Sequence, residues 1–433
     1  MRARSILLAA LTAPLVLAAS ARAQTPAEVA RGREVWAEAV AAYRAGNRTE
    51  FLALIERANA LRPAHPGILY ALASARAMNA DARGAIATLD RLADMGLAYD
   101  PTADGDFAGL VSDPAFLEVT SRLKANASPV GVADTAFTLP WRDFVPEGIA
   151  RDPRSGDFFV SGVHARRVVR IGGDGGAEPF VDGLWSALGL ALDAERRILW
   201  IGTAAMPETA GADSSELGRG AVIGVDLDSG RRVAELQLPD DGAAHVPGDL
   251  SLAPDGTLFV SDGAAGVLWV RRPGAAALEV LTGPDVLVSP QGSALSADGR
   301  TLWLADYSLG LLALDPGSGA ARRLTQSEDA ALLGIDALLR DGNDLIGVQN
   351  GIHPARVLRI RVDDRRVRGW EVVAAALPLF EEPTGAFLDA GRMWLIANSH
   401  WDRFEGGLLR DPGSLSPPLV LSIDLGRGAM LEN

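Results

Sequence analysis

From residue 140 onward, short apolar runs alternate with polar and Gly-rich turns, and the pattern recurs six times. Each recurrence opens on a segment that holds a glycine. These read Pro146-Glu147-Gly148, Leu188-Gly189-Leu190, Pro247-Gly248-Asp249, Pro290-Gln291-Gly292, Leu333-Gly334-Ile335-Asp336 and Pro383-Thr384-Gly385. An apolar strand follows each: FFVSG (158–162), LWIGT (199–203), LFVSD (258–262), LWLAD (302–306), LIGVQN (345–350) and MWLIAN (393–398). The central glycines lie 41, 59, 44, 42 and 51 residues apart. Strand chemistry on such a repeat predicts an all-β six-bladed β-propeller over residues 136–433. The longest interval contains MPETAGADSSELGRG (206–220), which reads as a loop. The sixth repeat runs out of chain after Gly426, so TAFTLP (135–140) is expected to supply its fourth strand and close the ring. Trp200, Trp269, Trp303 and Trp394 fall inside the predicted strands and read as core.

Upstream the period changes. Residues 25–96 are rich in Ala, Leu, Arg and Glu, and Trp36, Val40 and Tyr43 keep helical spacing. Similarity recurs near every 34 residues, pairing Trp36 with Tyr70 and Ile55 with Leu89, with turn signals at 45–47, 63–66 and 79–81. This predicts a small all-α, tetratricopeptide-like N-terminal domain (24–127), capped by DPAFLEVTSRLKAN (113–126). Residues 128–135 read as a linker. His65, between two prolines, reads as an exposed loop residue. Residues 1–23 carry Arg2 and Arg4, an apolar stretch and Ala21-Arg22-Ala23, the pattern of a cleaved signal peptide. A periplasmic or secreted protein is expected, with no membrane span.

Charge narrows the partners. The chain has no cysteine and a formal charge of −14, which the loss of Arg2, Arg4 and Arg22 would take to −17. That balance argues against nucleic acid as a partner. A peptide or protein partner for the helical domain stays open beside a purely packing role.

A propeller brings the start of every inner strand and the end of every second strand to one face. The first set gives Glu147, Asp249, Gln291, Asp336 and Thr384; the second gives His164, Thr203, Asp262, Asp306, Asn350, Asn398 and His400. Crowded carboxylates repel and desolvate one another. A divalent cation relieves that cost, and oxygen donors suit Ca²⁺ or Mg²⁺. The bland alternative is that these residues cap strand ends. Asp249, Asn350 and Asp306 are the candidate substrate-binding residues. His400 is a candidate proton shuttle or a hydrogen-bonded rim residue.

PEGI (146–149), SPQGSALSADGRTLWLADYS (289–308) and GIDALLRDGNDLIGVQN (334–350) resemble the senescence marker protein/gluconolactonase/luciferin-regenerating enzyme family. The resemblance covers about residues 136–428. It implies a metal site at Glu147, Gln291 and Asp336, with Gln291 where the family has Asn. It also implies Asp336 as general base and Asp249 beside the substrate. The family's second-blade arginine motif is absent. Two readings follow. One is a metal-dependent hydrolase of a lactone or small ester, with calcium the expected ion, acting on a small-molecule substrate. The other is a non-catalytic envelope scaffold joining helical repeats to a propeller.

Overall fold

The computed structural model describes residues 24–426, so the signal-peptide reading of 1–23 lies outside the described residues. Five α-helices come first: α1 (Pro26–Arg44), α2 (Arg48–Leu61), α3 (Pro66–Met78), α4 (Ala82–Asp94) and α5 (Pro114–Ala125). Their ends follow local chemistry. Thr25 and Glu28 form a reciprocal capping box ahead of α1, with Pro26 at its first position. Asp81 caps α4 and Asp113 caps α5 by accepting first-turn amides. The turn signals at 45–47 and 79–81 fall between helices, and that at 63–66 ends on Pro66, the first residue of α3. α3, α4, α5 and the 3₁₀ segment Gly105–Leu110 bury Leu69, Leu89, Leu92, Phe107 and Phe116 in one core. That core extends to Ala331 and Ile352 of the propeller, so the helices dock on it directly.

Six four-stranded antiparallel sheets follow, as the repeat predicts. Blade one is Pro146–Arg151, Phe158–Gly162, Arg167–Ile171 and Ala177–Val181. The same order fills blades two (186–237), three (247–282), four (290–323) and five (335–375). Blade six joins Ala386–Asp389, Arg392–Ile396 and Leu419–Asp424 to the N-terminal strand Asp134–Thr138. Asp134 pairs with Ser422 and Thr135 with Leu421, so the first strand of the sheet region closes the ring against the last. Closure removes the open edge that either strand would otherwise present. Trp200, Trp269 and Trp303 are 4%, 6% and 8% exposed, packed between blades as expected.

The inner glycines mark where neighbouring blades touch. A Cβ on Gly148 would stand 2.6 Å from the Leu188 carbonyl oxygen, and one on Gly292 would meet the Ala337 backbone at 2.9 Å. Gly189 and Gly385 press equally on the next blade's backbone. Gly248 differs, because a Cβ there would meet only the Val246 carbonyl oxygen at 3.8 Å and Gln291 Oε1 at 4.0 Å, ordinary van der Waals contacts. We therefore expect Gly292→Ala to cost about 2–4 kcal/mol by overpacking, measured as a shift in denaturant midpoint. Gly248→Ala should stay within about 0.5 kcal/mol of the parent. Equal losses at the two positions would refute this account of the repeat.

Candidate active site at the mouth of the propeller

Strand register sorts the inner residues into two layers. Pro146 pairs with Gly162, Pro247 with Asp262 and Pro290 with Asp306, and each pairing is followed by a bulge. The residue after this first pair, Glu147, Gly248 or Gln291, faces one end of the axis, as Asp336 does after the Ile335–Gln349 pair. With Leu188 of blade two and Thr384, two residues ahead of the first pair of blade six, they line one cavity of about 350 Å³. The next residue faces the channel beneath. There stand Gly148, Gly189, Asp249, Gly292, Ala337 and Gly385, lining a space of about 400 Å³ that reaches the turns at the opposite end.

This places Asp249 one layer lower than the sequence suggests. Blade three reads Pro-Gly-Asp where blades one and four read Pro-Glu-Gly and Pro-Gln-Gly. Aligning on glycine puts Asp249 at the mouth; aligning on proline puts it in the channel, among five small residues. Glu147 and Asp336 border both spaces and form the waist between them.

The second-strand residues divide in the same way. Asp306 is 1% exposed and its carboxylate accepts the amides of Val288, Ser289, Ser308 and Leu309 at 2.7–3.0 Å. Asp262 takes the amides of Val246 and Ala265, plus His245 Nδ1 at 2.6 Å. Both tie an incoming loop to an outgoing turn, and neither lines the mouth. The following residues do: Gly263 in blade three, Tyr307 in blade four and Asn350 in blade five. Asn398 likewise serves its own blade, accepting the Leu419 amide. His164 bonds the Glu208 carbonyl through Nδ1, away from the mouth cavity. Thr203 also stays outside it, 3% exposed with its hydroxyl unpartnered among the described residues.

Asn350 reaches the centre. Its Nδ2 donates to Asp336 Oδ2 at 2.8 Å and to the Pro383 carbonyl at 3.0 Å. Its Oδ1 accepts the Tyr307 hydroxyl at 3.0 Å. Tyr307, Asn350 and Asp336 thus form a chain with fixed donor directions. Across the cavity Trp401 donates Nε1–H to Glu147 Oε2 at 2.7 Å. Trp401 comes from a long insertion in blade six, in the short 3₁₀ turn Trp401–Arg403. His400 precedes it in the left-handed conformation, φ 63° and ψ 26°. It is 3% exposed, with Nε2 3.1 Å from the Ser416 carbonyl oxygen. His400 does not line the mouth cavity; it holds the bend that delivers Trp401.

Glu382, which the repeat does not flag, also lines the mouth. It accepts the Ser399 hydroxyl and the Asp402 amide at 3.1 and 3.2 Å. Thr384 is 2% exposed, and its hydroxyl has no hydrogen-bond partner among the described residues.

Electrostatics follow from this crowding. Burial pushes Glu147 well above the ordinary carboxylate range, and the charge of Asp336 pushes it further, against the Trp401 hydrogen bond. Asp249 rises through burial and then through Asp336. Asp336 is pushed up to about 6 by burial, with the Asn350 bond opposing and Glu382 adding. A group raised in the folded state keeps its proton longer than in the unfolded chain, so its ionisation at higher pH costs stability. Glu147→Gln should accordingly stabilise the cation-free protein at pH 8 by about 1–2 kcal/mol, and by less at pH 5, because the gain shrinks as the raised Glu147 carboxyl takes up its proton. Denaturant midpoints at the two values test this; a loss of stability at pH 8 would contradict it.

The donor chemistry suits a hard divalent cation. Among the described residues, Glu147 Oε1, Asp336 Oδ1 and Gln291 Oε1 accept no hydrogen bond, while each partner oxygen or nitrogen is engaged. Among the same residues no three His, Cys, Asp or Glu side chains are placed to hold an ion. A cation would therefore use two carboxylates and an amide.

No family model and no curated protein matches the chain. Solved structures do. A gluconolactonase from Xanthomonas campestris is 18% identical, over 69% of this chain and 92% of that one, with TM-score 0.47. Regucalcin from Agrobacterium tumefaciens, a calcium-binding protein, is 16% identical, over 68% and 95%, with TM-score 0.48. The pyrroloquinoline-quinone-bound aldose sugar dehydrogenase from Streptomyces coelicolor is 14% identical, over 68% and 99%, with TM-score 0.47.

Proposed function

We propose that the mouth is the active site of an exported hydrolase of a lactone or other small ester that works with a divalent cation, calcium for choice. The observation that carries this reading is the set of six mouth residues lining one space, in which Glu147, Gln291 and Asp336 each keep a side-chain oxygen that accepts no hydrogen bond among the described residues. Those three residues would hold the cation. When bound, it would polarise the ester carbonyl and favour ionised water.

The chain's own groups account for the rest. Asp336 takes the proton of the attacking water, and Asn350, held by Tyr307, sets the direction of its carboxylate. The water oxygen bonds to the carbonyl carbon, the carbon–oxygen ester bond breaks, and the proton passes to the leaving alkoxide. The unpartnered Thr384 hydroxyl is a buried donor for a substrate oxygen. Trp401 fixes Glu147 and, with Tyr307, supplies apolar wall. Asp249 acts from below, through the charge it adds to Glu147, and not by touching substrate. Residues 24–127 form the docked tetratricopeptide-like domain in this reading, and cleavage after Ala23 would release the mature chain.

Metal content and turnover test the proposal together. We expect about one divalent ion per chain by elemental analysis, hydrolysis of at least one lactone or aryl ester in a panel, and loss of that turnover on chelation with recovery on adding calcium. No ion and no turnover would leave the scaffold reading in its place.

A further inference from the structure

The helices meet the propeller beside the mouth, and the seam encloses a cavity of about 690 Å³ lined by Arg33, Arg62, His65, Tyr307, Asn350 and His353, among others. Tyr307 and Asn350 also line the mouth, so the two spaces share a wall. The seam is basic in a chain of charge −14. Arg33 donates to Ser308 Oγ at 2.9 Å, and Arg62 Nη2 reaches the Ser308 carbonyl at 3.4 Å. Among the described residues neither arginine makes an ion pair, and the same holds for Arg323 close by.

Arg62 is the telling residue. It is 7% exposed, and its Nε has no partner among the described residues. Burial and the charges of Arg33 and Arg323 work against its protonation, and Asp306 opposes them. Asp306 is itself occupied by four backbone amides. The fold makes room for Arg62 at a cost. Gly32 sits inside α1, where glycine is about 1 kcal/mol worse than alanine. A Cβ there would stand 2.8 Å from Arg62 Cγ. His65 caps α3, accepting the Ile68 amide on Nδ1, and burial lowers its pKa to about 4. It is a neutral hydrogen-bonding group with its proton on Nε2, not the exposed loop residue that the flanking prolines suggest.

We propose that this seam binds the carboxylate or phosphate group of an acidic small molecule, and that Arg62 and Arg33 recognise it while the rest of the molecule enters the mouth past Tyr307 and Asn350. Guanidinium groups suit both anions through paired N–H donors. The anion site stands on the seam alone; calling its ligand a substrate rests on the hydrolase reading.

Calorimetry on the full-length mature chain, stripped of metal, tests it with inorganic phosphate and succinate as separate probes and succinamide as the neutral control. We expect one anion to bind with Kd near or below about 1 mM at low salt, with affinity falling about tenfold or more in Arg62→Gln and several-fold in Arg33→Gln. Which probe binds separates a phosphorylated ligand from a carboxylic one. Arg33 is exposed, so Arg33→Gln decides the matter if Arg62→Gln does not fold. Gly32→Ala, which keeps every charge and displaces the Arg62 stem, should weaken binding as well. Absence of binding by either anion below about 10 mM, or unchanged affinity in the variants, overturns the proposal. Anion binding without any esterase activity would remove the hydrolase and leave this site. Hydrolysis that is as fast for neutral esters as for their acidic counterparts would keep the hydrolase and overturn the claim that the seam's ligand is its substrate.

Discussion

Asp336→Asn will lower kcat for ester hydrolysis by about 10²–10⁴-fold while leaving the fold unchanged and, because it removes a crowded buried charge, making the cation-free protein no less stable near neutral pH. The expectation follows from position and chemistry. Asp336 is one of the two carboxyls at the waist of the axis, 2.8 Å from Asn350 Nδ2, with its second oxygen free among the described residues. The amide replaces that oxygen with a group of the same shape that cannot take a proton from water. Burial has already raised Asp336 to about 6, close to the range in which a general base works best near neutral pH. Since the base must be deprotonated to act, kcat/KM of the parent should rise with pH as Asp336 ionises; a bound cation would move that limb downward. The variant should lose the limb along with the rate. Asn350→Ala supplies the contrast, because it leaves the base in place and removes its orientation, so a smaller loss of about tenfold is expected. Steady-state kinetics across pH 4–9, with circular dichroism to verify folding, decides it. Turnover within threefold of the parent in Asp336→Asn would exclude Asp336 as the base, and with it the mechanism given above.

How much of this site was legible beforehand depended on register. The six-fold recurrence is strong because every blade must repeat the same apolar alternation to pack against its neighbours, and the need for closure named residues near 135 as the missing strand. The choice of end was also legible, since antiparallel pairing leaves no freedom there. What failed was a single residue of phase. Asp262 and Asp306 close their second strands and bond backbone amides, whereas Tyr307 and Asn350, one position on, face the mouth. Asp249 slipped for the same reason, because glycine moved to the mouth position in blade three. A one-residue shift in a strand exchanges its faces, and a bulge beside the inner strand in blades one to five hides the shift from a sequence pattern. Side chains from outside the repeat had no pattern to betray them. Glu382 lies in a loop before blade six, and Arg62 in a turn between helices. The glycine at 32 was the one local signal of Arg62, an unfavoured residue inside a good helix, and its reason lies across the interface.

Arg356→Ala will cost about 3–5 kcal/mol and loosen the helical region from the propeller. Arg356 is 1% exposed and has no carboxylate partner among the described residues. Its guanidinium instead gathers acceptors from both parts of the chain. Nε donates to Gln349 Oε1 at 2.7 Å, Nη1 to the Met95 carbonyl at 2.8 Å and Nη2 to the Ala331 carbonyl at 3.2 Å. The group lies over the Trp370 ring, 5.2 Å from its centroid. Met95 ends α4, so one of these bonds crosses from helices to blade five. Burial lowers the Arg356 pKa only to about 10, so the charge persists at neutral pH and its hydrogen bonds are of the stronger, charge-assisted kind. Truncation leaves the Met95 carbonyl and Gln349 Oε1 buried without this donor, along with a void beside Trp370. Gly96, at φ 70° with its Cβ position 2.9 Å from Arg356 Nη1, shows how closely the chain is drawn in at this point. Arg356→Lys should recover part of the loss, because an ammonium can reach one or two of the three acceptors and lacks the planar fork. The docking claim has its own readout: limited proteolysis should cut Arg356→Ala between residues 126 and 134 faster than the parent, while the propeller stays resistant. Unfolding at the parental denaturant midpoint, or cleavage at the parental rate, would show that the two parts are joined chiefly by the apolar contact of Ala331 and Ile352 with the helices, and that Arg356 merely fills space.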